Sequence, residues 1–117
     1  MNIVVRPHPI DARITLVAFQ GRLDTVGEPV ASPQVLMAVE ACEIGAVFDL
    51  AGLDFVSSSG LRLMLQAYKN CTARGKKLAM VRTQPAVYKI FKLSGFDQLF
   101  NMHLEEGEAV EAMRATE

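Results

Sequence analysis

The strongest constraint on this chain is the alternation of two apolar rhythms within 117 residues. Short, largely apolar runs at residues 46–50 and 78–82, and a β-rich segment at 13–20, read as strands, because a strand covered on both faces shows little polar side. Residues 3–6 read as a first strand and 99–103 as a last one. Helical patterns lie between them. Leu61, Met64, Leu65, Tyr68 and Thr72 recur at helical spacing, and Gly75 is a natural stop. Pro85 suits a first turn, with Thr83 or Gln84 as its cap, Val87, Ile90 and Phe91 as its stripe, and Gly95 ending it. Because proline is tolerated only in a first turn, Ser32 and Pro33 are expected to start a helix running to about Cys42, with Val35, Leu36, Val39 and Cys42 inward. A short helix over residues 105 to about 115 closes the chain. The order is β-β-α-β-α-β-α-β and then that helix. This predicts an α/β fold, a mixed sheet of four to five strands packed by about four helices, in one domain over 1–117 with its core at about 3–103.

Composition narrows the class. Half the residues are apolar and the net charge is −1, whereas a general nucleic-acid binder is clearly basic, so no direct nucleic acid is expected. No run approaches the roughly 18 apolar residues of a membrane span, and Ile3, Val4 and Val5 follow Met1 without a leader pattern. A cytoplasmic protein is expected, with Cys42 and Cys71 as buried free thiols, since their separation matches no metal or CxxC spacing. Charge is uneven along the chain. Residues 62–92 hold eight basic side chains and no acidic one, while 97–117 hold six acidic ones and only Arg114. Solvated faces explain this, and so does a basic surface that meets an acidic or phosphorylated partner.

Catalytic patterns are missing. His8 and His103 stand in no ligand spacing and read as surface or satisfied histidines, so no metal or other cofactor is expected. There is no GxxxxGK[ST] or GxGxxG loop, and Val56, Ser57, Ser58, Ser59 and Gly60 lack the first glycine of a GxSxG elbow. A non-enzyme is the expectation. The serine run nevertheless opens the best helix in the chain. One serine there is explained by capping a free N–H, but three in a row exceed what a cap requires. A helix N-terminus also stabilises a phosphate through its free N–H groups and dipole, so a serine there can carry a phosphoryl group without breaking the fold.

Four blocks in register carry a resemblance. Residues 21–24 read GRLD, 48–62 read FDLAGLDFVSSSGLR, 75–78 read GKKL and 91–96 read FKLSGF. Together they resemble a STAS domain, and more narrowly the bacterial anti-sigma factor antagonists, over about residues 3–103. The resemblance implies that GRLD ends the second strand and that the serine segment opens the second helix. It also implies that Ser58 is the serine phosphorylated by a partner kinase. Where many members have Asp before that serine, this chain has Ser57. Asp24 matches the family's acidic residue near the serine loop and reads equally as a turn aspartate. The implied partner surface comprises Asp24, Ser57, Ser58, Ser59, Gly60 and Arg62. Phe55, Val56 and Leu61 read as core. The implied function is partner switching in transcription regulation. The unphosphorylated protein would bind an anti-sigma factor with serine kinase activity, phosphorylation of Ser58 would release it, and a serine phosphatase would reset it. The alternatives are a STAS scaffold or subunit of a stress-signalling or lipid-transport ABC assembly, and weak nucleotide binding.

Overall fold

The computed structural model describes residues 1–115; Glu117 of the acidic tail lies outside them. The elements are β1 (Asn2–Pro7), β2 (Ile14–Leu23), α1 (Gly27–Ala41), β3 (Gly45–Val56), α2 (Ser58–Ala73), β4 (Lys77–Val81), α3 (Pro85–Ser94), β5 (Asn101–His103) and α4 (Glu106–Ala115). The strands form one sheet in the order β1-β2-β3-β4-β5. Only β1 is antiparallel to its neighbour; β2 to β5 run parallel. This is the mixed sheet that the alternating rhythms predict, since each of the three parallel steps needs a crossover and α1, α2 and α3 supply one each.

The sheet is covered on both faces. One face, with Phe19, Phe48, Leu50 and Met80, meets Val35 and Val39 of α1, Leu63 and Met64 of α2, and Val87 and Phe91 of α3. The other carries Leu16, Val47 and Val81 under Ala109, Val110 and Met113 of α4. The core therefore reaches past residue 103 into the last helix. A polar clamp fixes α4. The guanidinium of Arg82 bonds the Asp49 carboxylate and lies 3.3 Å from Glu106. His8, 2% exposed, accepts the Ile10 N–H through Nδ1 and faces Glu106 with Nε2 at 3.5 Å. His8 is thus an interior histidine bonded at Nδ1, while its buried Nε2 makes no hydrogen bond among the described residues.

Three local expectations are corrected. α1 begins at Gly27 rather than at Ser32–Pro33. Asp24 makes the early start possible by accepting the first N–H groups, and Pro29 falls in the first turn where its missing donor costs nothing. Pro33 lies inside the helix on its exposed side, where water reaches the carbonyl its ring leaves unpaired. Residues 51–56 are strand rather than link. β3 continues to Val56 beside a β2 that runs through Gly21 to Leu23, and two register shifts absorb the irregularity at Gly21. Gly21 holds φ at +109°, a conformation that side chains disfavour. Finally, the buried face of α2 is Gly60, Leu63, Met64, Ala67 and Cys71, so the inward stripe lies to one side of the expected one and Leu65 is only half-buried. α2 packs against α1 as well as the sheet, and two contacts at an angle select a face that periodicity alone does not.

The phase of α2 has a measurable consequence. Leu63→Ala is expected to cost about 2–5 kcal/mol, the range for a fully buried leucine, and Leu65→Ala clearly less. Urea midpoints of the two variants check this, and equal losses would contradict the assigned face.

Candidate functional site

The sequence-singled residues converge where β2 and β3 end and α1 and α2 begin. Ser57 is the N-cap of α2, in extended backbone. Its N–H donates to the Leu23 carbonyl at 2.9 Å, and its hydroxyl donates to the same oxygen at 3.2 Å. The Ser57 oxygen then accepts the Gly60 N–H at 3.3 Å and lies 2.9 Å from the Ser59 hydroxyl. Ser57 and Ser59 are therefore engaged in closing the turn. Ser58, between them, is exposed at the first position of α2, and among the described residues its hydroxyl has no hydrogen-bond partner. Three adjacent serines thus divide into two that build the turn and one that presents a free hydroxyl.

Asp24 stands across from this turn. Its Oδ1 accepts from the N–H of Gly27 at 2.8 Å and of Val26 at 3.1 Å. The Gly27 bond, then that of Val26 and the neighbouring Arg22, holds its carboxyl below the usual carboxylate range. Asp24 is hence ionised at neutral pH and both caps α1 and adds negative charge to the site. Arg22 reaches Asp24 at 3.5 Å and lays its guanidinium 4.4 Å above the ring of Phe55. Phe55 is therefore half-buried under a cation, whereas Val56 is core and Leu61 packs partly against it. Sequence reasoning missed Arg22 as part of the site; the only signal was its place inside GRLD.

Gly60 and Arg62 complete the set. Gly60 is buried, and a Cβ there would lie 2.6 Å from the Leu23 carbonyl oxygen and 2.9 Å from its side chain. Arg62, one turn after Ser58, is exposed and has no acidic partner among the described residues. Val26 and Val30, 79% and 52% exposed, border the site on α1. The basic run of the middle segment is not uniform. Arg74 and Lys76 bond carbonyls at and just after the end of α1, and Arg82 holds the α4 clamp, whereas Arg62, Lys69, Lys77, Lys89 and Lys92 are exposed and make no such bond among the described residues. Among the described residues no helix is long and apolar enough to cross a membrane.

A sheet of this topology, with an open hydroxyl at the second helix's N-terminus, defines a class of binding domain. The STAS domain family model matches residues 6–109, and the chain belongs to that family. It is 27% identical over 99 residues to the anti-sigma F factor antagonist of Paenibacillus polymyxa, covering 83% of this chain and 84% of that one. The crystal structure of an anti-sigma factor antagonist from Mycobacterium paratuberculosis superposes with a TM-score of 0.84 at 23% identity, covering 97% of this chain and 93% of that one. The Bacillus antagonist SpoIIAA, solved in both unphosphorylated and phosphorylated forms, matches with TM-scores of 0.77 and 0.68 at 19% and 18% identity. The unphosphorylated form covers 97% of each chain, and the phosphorylated form covers 95% of this chain and 98% of that one. The family resemblance read from the four sequence blocks is thus borne out, together with the fold it implied.

Two outcomes follow from the packing. Gly60→Ala improves helix propensity by up to about 1 kcal/mol, but the contact with Leu23 is against strand backbone and cannot yield cheaply. A net loss of roughly 1–3 kcal/mol is expected by chemical denaturation. For Asp24, the folded value lies below the unfolded one, so its contribution is present above the ordinary carboxylate range and is lost as pH falls through the lowered value. Asp24→Asn should flatten that acid-side loss, and melting temperatures of both proteins from neutral pH downward test the difference.

Proposed function

We propose that this protein is an anti-sigma factor antagonist that works as a binding switch, with Ser58 as its phosphoacceptor. The observation that carries the proposal is the division among the serines: Ser57 and Ser59 are tied into the turn, and Ser58, of the three, offers an exposed hydroxyl with no bond among the described residues. The naming of the Paenibacillus relative and the two solved forms of SpoIIAA support the role and the modification. The partner is an anti-sigma factor with serine kinase activity, bound when Ser58 is free, and a serine phosphatase restores the free state.

The physics of the switch is local. A phosphate brings about −1.5 to −2 charges and a strongly hydrated group. At the start of α2 it meets unpaired N–H groups and the positive end of the helix dipole, so the fold tolerates it. Arg62, one turn on, pairs with it through its planar fork and holds it in one geometry. The partner instead meets added negative charge beside the ionised Asp24, and must strip water from it to approach. Release then needs no refolding. Binding uses the exposed Val26 and Val30 beside the polar turn, so the role is recognition rather than catalysis. The sequence-level departure, Ser57 where many members have Asp, has a structural counterpart: the Ser57 hydroxyl serves as donor to Leu23 and acceptor from Gly60, the capping half of which a carboxylate also performs.

Affinity capture from a lysate of the source organism, with wild type beside Ser58→Ala and Ser58→Glu, tests the reading. A captured kinase lost only with Ser58→Glu, and phosphate mapped to Ser58 by mass spectrometry after treatment with that kinase, is the expected result. Phosphate on Ser57 or Ser59 would overturn the assignment. A large stable assembly indifferent to all three variants would favour a scaffold role.

A further inference from the structure

The two edges of the sheet are protected unequally. β5 is three residues long, too short to template another strand. β1, the opposite edge, runs six residues and pairs with β2 from Asn2 to Pro7 without a register shift. Its only charged side chain is Arg6, and Val4 and Val5 are 40% and 44% exposed. The register also fixes which backbone groups of β1 are open. The His8 N–H bonds the Ile14 carbonyl at 2.8 Å, so His8 and Ile14 extend the ladder beyond Pro7 and Thr15 as a hydrogen-bonded pair. Such pairs alternate along an antiparallel ladder. Arg6, Val4 and Asn2 therefore turn their N–H and C=O groups toward β2, and Ile3, Val5 and Pro7 turn theirs outward. Pro7 has no N–H to offer, so the open stretch ends there. The faces beside this edge are thinly covered. Val4 shares its face with Ala18, beyond α4, which packs mainly on β3, β4 and β5. On the other face α1 lies over β1 and β2, and its exposed Gln34, Met37 and Ala41 recur at helical spacing without a charge.

We propose that β1 is a dimerisation edge whose occupant is the β1 of a second copy of this chain, the two strands running antiparallel about a two-fold axis through Val4. The open backbone groups select both the partner and the axis. A two-fold at Val4 sets Ile3 opposite Val5 of the second copy and Val5 opposite its Ile3, so every outward N–H and C=O of these residues is paired. An axis through Val5 would set Ile3 against Pro7, whose missing N–H leaves the Ile3 carbonyl unpaired. An axis through Arg6 would set like charges face to face, and one through Ile3 would set Val5 against Met1, outside the strand. With the axis at Val4, that valine meets its own copy and Arg6 meets the uncharged Asn2. The helices agree with this spacing. Strands of a sheet lie about 4.8 Å apart, so helices centred over β1 and β2 in each copy come to lie two spacings, roughly 10 Å, from each other. Helices pack at that distance, and Met37, 69% exposed, gains a cover. The two-fold reverses the strands, so the Ser58 turns that follow β3 stand at opposite ends of the joined sheet and stay open. The dimer is thus independent of the switch and carries two copies of it.

The test is sedimentation equilibrium of the wild-type protein over a concentration series, with three variants beside it. The wild-type mass is expected to rise from that of one chain to that of two. Val5→Pro removes an outward N–H and leaves the β1–β2 ladder intact, so it should keep the wild-type circular dichroism and stay a monomer. Val4→Lys and Val4→Glu each set like charges against their own copy at the axis. Each should be a monomer alone, and an equimolar mixture should recover a dimer with one chain of each, identified by native mass spectrometry. A wild-type mass of one chain at every concentration up to about 1 mM overturns the proposal. A mass that climbs past two chains, a dimer that survives Val5→Pro, or a Lys–Glu mixture that stays monomeric overturns it equally. If Val5→Pro folds poorly, the charge pair decides, because Val4 is an exposed position on the sheet face.

Discussion

Two consecutive carbonyls at the end of β2 organise this protein. The Arg22 oxygen would lie 2.3 Å from a Cβ at Gly27, and the Leu23 oxygen 2.6 Å from one at Gly60. Both helices that frame the site therefore begin hard against the strand backbone, and each can do so only through a residue without a side chain. The Leu23 carbonyl is also the acceptor for the Ser57 N–H and hydroxyl. Sterics and hydrogen bonding thus select the same approach, and the turn that offers Ser58 to solvent is built on a rigid strand end instead of a free loop.

That arrangement separates tasks among adjacent residues. Capping at α2 falls to Ser57 with Ser59, and capping at α1 to Asp24, so among the described residues Ser58 has no capping duty and its hydroxyl stays open. Altering Ser58 therefore changes surface charge without removing a cap. The sheet's far face follows the same economy with different chemistry. There a polar clamp of Asp49, Arg82, Glu106 and His8, half open to solvent at Arg82, fixes α4 over an apolar patch. Arg82 holds a φ of 55° while doing so, a left-handed backbone rare in residues with side chains, stabilised by its side-chain partners and by its N–H to His103.

Charge shows how far tertiary placement reinterprets sequence. The basic run reads along the chain as one surface, but Arg74, Lys76 and Arg82 are spent on helix ends and the clamp. The basic side chains without such a contact among the described residues are scattered over α2, β4 and α3, with Arg62 one turn from Ser58.

The sequence by itself determined the order of elements, the mixed sheet, the bounds of α3 and the convergence on the serine segment. Each is encoded locally, by apolar period, proline and glycine placement, and a short motif. Only the tertiary structure decided where α1 starts, which face of α2 is inward, how far β2 and β3 extend, and which of three serines is free. Those depend on partners remote in sequence. Asp24 lends α1 its first turn, α1 and the sheet together rotate α2, β2 and β3 lengthen each other through paired backbone groups, and Leu23, 34 positions before Ser57, engages that serine so that Ser58 stays open.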